Sequence, residues 1–146
     1  MFIKSLSIKP ATESDFELIK KLIQQFELDD RGLSYYQFLV AKENDKLVGF
    51  ARIRKHNGCD EFCSLGVLES HRFNGIAKLL VEARIKIATQ PVYLVCIIPD
   101  YFKKLGFFVV NEYPAEMADK LHYCISELVV PEEYVVMKYQ NYKESK

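Results

Sequence analysis

The run Val67-Leu68-Glu69-Ser70-His71-Arg72-Phe73-Asn74-Gly75-Ile76-Ala77-Lys78-Leu79-Leu80 decides how this chain is read. It joins the end of an apolar strand pattern to the start of a helical one. The first N–H groups of a helix have no backbone partner and carry the positive end of its dipole. Gly75 has no Cβ, so an anion can approach the backbone closely there, and Ala77 keeps the next turn thin. Arg72 adds a full positive charge at the rim. The segment therefore reads as a cradle suited to a pyrophosphate. An ordinary helix start with a surface arginine would show the same residues, so the rest of the chain must choose between the two.

Upstream, Phe2 to Lys9 alternates apolar and polar residues and stops at Pro10, a strand pattern. Thr12 stands as an N-cap with Asp15 three residues on. Phe16, Ile19, Leu22, Ile23 and Phe26 then recur at helical spacing, ending near Leu28. Leu33 to Gln37 is irregular. Phe38 to Ala41 and Leu47 to Lys55 read as strands around the turn Glu43-Asn44-Asp45-Lys46. Asn57-Gly58 is a hairpin signal leading into a third strand, Asp60 to Val67.

Downstream, Gly75 to Thr89 is predicted helical, with Ile76, Leu79, Leu80, Ala83 and Ile87 inward. Pro91 to Ile98 is a continuous apolar run, the mark of a strand covered on both faces. Strand, helix and buried strand in succession predict a right-handed crossover with the two strands parallel. Asp100 to Leu105 is a short helix ended by Gly106. Phe107 to Val110 is a strand, Tyr113 to Leu121 a short helical or irregular segment, and Tyr134 to Tyr139 a final strand. The sum is an α/β sandwich with a mixed sheet.

The chain has 146 residues, which is one domain's worth, and residues 1–146 are read as a single domain. Lys plus Arg and Asp plus Glu are both 20, so the formal charge is zero and gives no reason to expect nucleic acid or an anionic membrane as partner. The N-terminus shows no leader pattern, and no apolar run approaches the ~20 residues of a membrane span. Cys59, Cys63, Cys96 and Cys124 are too sparse for a disulfide framework. A soluble, cytoplasmic protein with reduced thiols is expected. Cys59 and Cys63 have no second Cys or His pair at metal-binding distance, so no metal is expected. His56, His71 and His122 read as surface residues.

Arg72-x-x-Gly75-x-Ala77 after Leu65-Gly66-Val67 resembles the acetyl-CoA signature of the GNAT superfamily of N-acyltransferases. Three more stretches agree in order. Ile8 to Asp15 looks like the family's opening strand-to-helix junction, Lys46 to Ala51 like its third-strand entry, and Tyr101 to Phe107 like its late helix-to-strand turn. The short Ile98-Pro99-Asp100-Tyr101 helix, with Tyr113-Pro114, Lys120-Leu121 and Cys124, is similar to N-acetylglutamate synthase-type domains. The resemblance implies a three-layer sandwich with helices on both faces of a mixed sheet whose fourth and fifth strands splay apart.

It also implies acetyl-CoA as co-substrate. Leu65, Gly66 and Val67 would pair with its pantetheine arm, and Arg72, Phe73, Asn74, Gly75, Ile76 and Ala77 would hold its pyrophosphate. The acceptor amine would attack the thioester directly, with no protein nucleophile. Glu61 stands where part of the family has its general base, and partial burial would raise its pKa for that task. Many members have a Tyr general acid where this chain has Phe102, so Tyr101 beside it is the candidate and Phe102 is expected to pack against the cofactor. Tyr35 and Tyr36 are expected to contact substrate, with Arg52 and Arg54 as partners of a substrate carboxylate. The acceptor is expected to be a small-molecule amine, such as an amino acid. A protein N-acetyltransferase and a non-catalytic acetyl-CoA sensor are the other readings. A homodimer is implied by relatives that pair their late strands.

Overall fold

The computed structural model describes residues 6–140. Phe2 and Ile3, read as the start of the first strand, lie outside them. The elements are β1 (Leu6–Pro10), α1 (Glu13–Gln25), β2 (Phe38–Glu43), β3 (Lys46–Lys55), β4 (Asp60–Val67), α2 (Ile76–Lys86), β5 (Val92–Cys96), α3 (Pro99–Lys103), β6 (Phe107–Val109), α4 (Ala115–Glu127) and β7 (Val135–Tyr139). The strands form one mixed sheet in the order β1-β2-β3-β4-β5-β7-β6. β4 pairs with β5 in parallel, Asp60 opposite Val92 and Glu61 opposite Tyr93. The recorded pairings of β1 with β2, β2 with β3, β5 with β7 and β6 with β7 are antiparallel. The expected α/β architecture is therefore present.

The chain divides into two compact units. One is the chain up to Ile53 together with Cys63–Ile87; the other is Arg54–Phe62 with the chain from Ala88 onward.

In the first unit, α1 begins on a capping box. Thr12 Oγ1 accepts from the Asp15 amide at 3.2 Å, and the Asp15 carboxylate accepts from the Thr12 amide at 2.9 Å. These bonds serve N–H groups that the helix itself cannot. Ile19, Leu22 and Ile23 of α1 pack with Phe38, Val40 and Phe50. Neighbouring strand residues point to opposite faces. Phe50 faces α1, and a Cβ on Gly49 would lie 3.0 Å from Leu80 and 3.4 Å from Ile76 of α2. So α1 and α2 cover opposite faces of this part of the sheet. β2 turns into β3 through Asn44 and Asp45, both at positive φ, as a two-residue hairpin requires.

The buried face of α2 differs from the expected one. Ile76, Leu80, Val81 and Arg84 are buried, whereas Leu79 and Ile87 are about half exposed. Gly75 fixes the start of the helix with Ile76 toward the sheet, which turns Leu79 outward. Arg84 takes an inward position because its guanidinium donates to the Gln37 carbonyl at 3.3 Å.

In the second unit, Val92, Leu94 and Cys96 of β5 are buried. Tyr93 and Val95 pack with Met117 and Leu121 of α4, so both faces of the strand are covered, as its composition predicted. α4 is longer than the segment expected at Tyr113 to Leu121. Its thirteen residues bury Met117, Lys120 and Cys124.

Candidate functional site

The first unit holds the cradle. Gly75 caps α2 in the left-handed region, at φ 81, and a Cβ placed on it would meet nothing within 4 Å. The backbone there is open to a ligand. Phe73 is also left-handed, at φ 68, and fully exposed. Arg72 is partly committed: its Nε donates to the Val67 carbonyl at 2.9 Å and its guanidinium lies 5.3 Å over the Phe26 ring. It stitches the loop to the end of β4 as well as bringing charge to it. Ile76 is buried and anchors the helix start, while Asn74 and Ala77 are partly exposed along the same turn.

The end of β4 is shaped from below. A Cβ on Gly66 would lie 2.5 Å from the Phe50 ring and 3.1 Å from Phe26, so only glycine fits over those rings. Leu65 is partly exposed and Val67 buried. Ser64, just before them, stands at φ 51 inside the strand. A non-glycine residue held there is strained, a state that clusters at functional sites.

Tyr35 and Tyr36 sit on a single helical turn before β2, their rings edge to face with centroids 6.0 Å apart. With Glu13, Phe16, Glu17, Leu33 and Ser34 they line a cavity of about 380 Å³. Two of these walls already have a partner on α1: the Lys20 ammonium lies 2.8 Å from Glu17 and 4.9 Å over the Phe16 ring. Arg52, expected to meet a substrate carboxylate, is instead buried without exposure and donates to Gln37, Asp29 and Arg31.

The second unit holds Glu61, and here the sequence expectation is corrected. Its carboxylate is wholly buried, not partly. His56 Nε2 lies 2.8 Å from Oε1, Arg54 Nη1 3.8 Å from the same oxygen, and Lys120 Nζ 2.9 Å from Oε2. Burial alone would push the pKa up; the attraction of Lys120, the His56 hydrogen bond and the Arg54 charge outweigh it and hold the carboxyl below its ordinary range. Arg54 thus belongs to this ion cluster, and His56 is not a solvated surface residue. His71 also has fixed partners, Glu43 at 3.0 Å and Ser70 at 2.8 Å. Lys120 was not paired with Glu61 because it stands nearly sixty residues away in sequence, on a segment whose inward face the expectation did not assign. Met117, Leu121 and Cys124 do recur at helical spacing, and a lysine among them was the available signal.

Tyr101 lies on α3, its hydroxyl pKa raised by burial. Its ring meets Phe102 edge-on, and Phe102 meets Phe107, which meets Tyr139. Phe102 is buried and spends its ring on this aromatic row, where the cofactor was expected. None of the four cysteines forms a disulfide, and all are buried. Burial pushes the Cys59 thiol up to about 11, so it carries no nucleophilic thiolate at neutral pH.

The profile of the acetyltransferase (GNAT) family matches residues 3–108. This chain belongs to that family. Among solved structures it is similar to Rv2747 from Mycobacterium tuberculosis in complex with CoA, at 18% identity and a TM-score of 0.73, over 92% of this chain and 99% of that one. It is similar to Arabidopsis thaliana Naa50 in complex with a bisubstrate analogue, at 19% identity and a TM-score of 0.70, over 94% and 100%. N-acetylglutamate synthase from Neisseria gonorrhoeae, complexed with coenzyme A and N-acetyl-glutamate, matches at 16% identity and a TM-score of 0.69 over 93% of this chain. This GNAT chain spans about a third of that synthase, 35% of its length. Likenesses at these identities are of fold. No curated protein matches the chain by sequence. Among the described residues no helix is long and apolar enough to cross a membrane.

Proposed function

We propose that this GNAT chain transfers acetyl from acetyl-CoA to the amine of a small molecule, by direct attack on the thioester. The observation that carries the reading is the start of α2, where Gly75 at φ 81 leaves open space over unpartnered helix N–H groups. The residues present fit a pyrophosphate there, with Arg72, Phe73, Asn74, Gly75, Ile76 and Ala77 around it. Bound acetyl-CoA supplies an activated acyl carbonyl. The backbone of Leu65, Gly66 and Val67 would lie along the pantetheine, and an N–H in that segment would polarise the carbonyl.

Glu61 remains the proton acceptor in this reading, but by a changed route. Solvent does not reach its carboxylate, so the proton would pass through His56, hydrogen-bonded to it and itself partly exposed. Tyr101, kept as a neutral phenol by burial, is the donor to the departing thiolate. Tyr35 and Tyr36 would meet the acceptor, and their cavity, walled by two carboxylates and three aromatic rings, suits a cationic amine. Four cysteines outside any disulfide support a reducing compartment such as the cytoplasm.

The test is release of CoA thiol from acetyl-CoA across a panel of L-glutamate, other amino acids, spermidine and peptides with free amino termini. Turnover with amino acids or polyamines is the expected result. Turnover with peptides alone would make the chain a protein acetyltransferase. Binding of acetyl-CoA with constant thiol across the panel would make it a sensor.

A further inference from the structure

Arg52 is the largest side chain wholly shut from solvent among the described residues. A guanidinium keeps its charge in a protein, so its five N–H groups must find acceptors. Nε donates to Gln37 Oε1 at 2.8 Å, Nη1 to the Asp29 carbonyl at 3.1 Å, and Nη2 to the Arg31 carbonyl. All three acceptors belong to residues 29–37, the stretch that joins α1 to β2 and carries Tyr35.

The same stretch is gripped from two other elements. Ser64 Oγ of β4 donates to the Asp29 carbonyl at 3.2 Å, so that one oxygen takes donors from both β3 and β4. Arg84 of α2 donates to the Gln37 carbonyl. Within the stretch, Gln37 accepts from the Ser34 amide and donates to the Gly32 carbonyl, both at 3.1 Å. Ser64 is also the residue held at positive φ, immediately before Leu65.

We infer that Arg52 is a positioning residue for the acceptor side of the transfer: it fixes the backbone of residues 29–37, which presents Tyr35 and Tyr36. The inference rests on the transferase reading above. The chemistry requires arginine. A planar fork reaches three fixed acceptors at once, whereas a lysine ammonium is a point donor on a flexible stem. Removing the fork leaves buried carbonyls without their partners, and the stretch must open to water to satisfy them.

The test compares the wild type with Arg52→Met and Arg52→Lys. Three quantities are measured: hydrogen exchange of the 29–37 amides, KM for the amine, and Kd for acetyl-CoA. The amines are L-glutamate, spermidine and a short peptide with a free amino terminus. In Arg52→Met, exchange over 29–37 rises about tenfold or more while α1 and β2 keep their protection. KM for the amine rises by about tenfold, and acetyl-CoA affinity stays within about twofold. Arg52→Lys falls between. Should Arg52→Met fail to fold, Gln37→Met, which removes one acceptor of the fork, shows the same split more weakly. An unchanged amine KM with only a lowered Tm overturns the inference, and so does an acetyl-CoA affinity that falls as far as the amine's. If the wild type turns over none of the three amines, the transferase reading fails on its own, and unchanged exchange over 29–37 in Arg52→Met would then refute the positioning role separately.

Discussion

Lys120 Nζ lies 2.9 Å from Glu61 Oε2, and both side chains are shut from solvent, at 6% and 0% exposure. The pair ties the middle of α4 to the start of β4. Two opposite charges in a dry interior repay their desolvation only together. Arg54 and His56 on the other oxygen make the carboxylate the centre of the cluster. Its local role is therefore structural, beside the proton acceptance proposed for it.

Lys120→Met follows from this pair. It leaves a buried carboxylate with weaker compensation and should cost ~3–5 kcal/mol, read by urea denaturation at pH 7. The pH dependence has a definite sign. Glu61 has a folded pKa below its ordinary 4.5, so its contribution is complete above about that value and is lost as the pH falls through the folded pKa. The gap between wild type and Lys120→Met should close as the solution is acidified below pH 4.5. A gap that is constant from pH 7 to pH 3 would show that the ion pair contributes nothing. Glu61→Gln should slow turnover and leave acetyl-CoA binding unchanged; an unchanged rate would remove Glu61 from proton transfer.

Gly66 and Gly75 should fail in different ways. Alanine at 66 places a Cβ 2.5 Å from the Phe50 ring. Such overpacking costs ~1–3 kcal/mol and lowers Tm. Alanine at 75 meets no atom within 4 Å, so its cost is the left-handed φ, ~1–2 kcal/mol. The larger effect at 75 should be on the ligand, because the new methyl stands in the cradle. Gly75→Glu adds a charge as well and should abolish acetyl-CoA binding by calorimetry. A folded Gly75→Glu that binds normally would remove the cradle from the cofactor site.

Thr12→Ala tests a local feature. Losing one side of the capping box should cost ~1 kcal/mol of stability with no change in cofactor affinity. Equal stability would mean that water replaces the cap without loss.

Features written in local sequence were legible in advance. Thr12 and Asp15 announce a capping box, Asn44-Asp45 a tight turn, and Gly75 a helix start with an open backbone; each depends on a few neighbours. The limits of β4 followed from Asn57-Gly58 on one side and the cradle on the other. What depended on distant packing was not legible. Nothing near Arg52 in sequence says that its acceptors are Asp29 and Arg31, more than twenty residues earlier. Glu61 looked like a half-buried strand-end carboxylate because its partner Lys120 lies nearly sixty residues away, and only the packing of α4 brings the two together. Leu79 and Ile87 were placed inward by periodicity, but Gly75 sets the phase of α2, and periodicity alone does not carry phase. β7 sits between β5 and β6 for a reason of the same kind: strand order is a property of the closed sheet.

Tyr101→Phe is the sharpest test of the chemistry. Burial raises the pKa of the Tyr101 hydroxyl, so it is a neutral donor through the neutral and mildly alkaline range. A general acid contributes ~10²–10⁴-fold to a rate. The variant keeps the ring that meets Phe102 edge-on and loses only the hydroxyl, so fold and acetyl-CoA affinity should hold while kcat falls by about tenfold or more. The sign of the pH profile follows from the same shift. Activity that depends on the neutral phenol declines only as the pH climbs toward the raised pKa, and that alkaline decline should vanish in Tyr101→Phe. A kcat within about twofold of wild type, with the decline intact, would show that the thiolate leaves without Tyr101 and would move the search for a donor elsewhere.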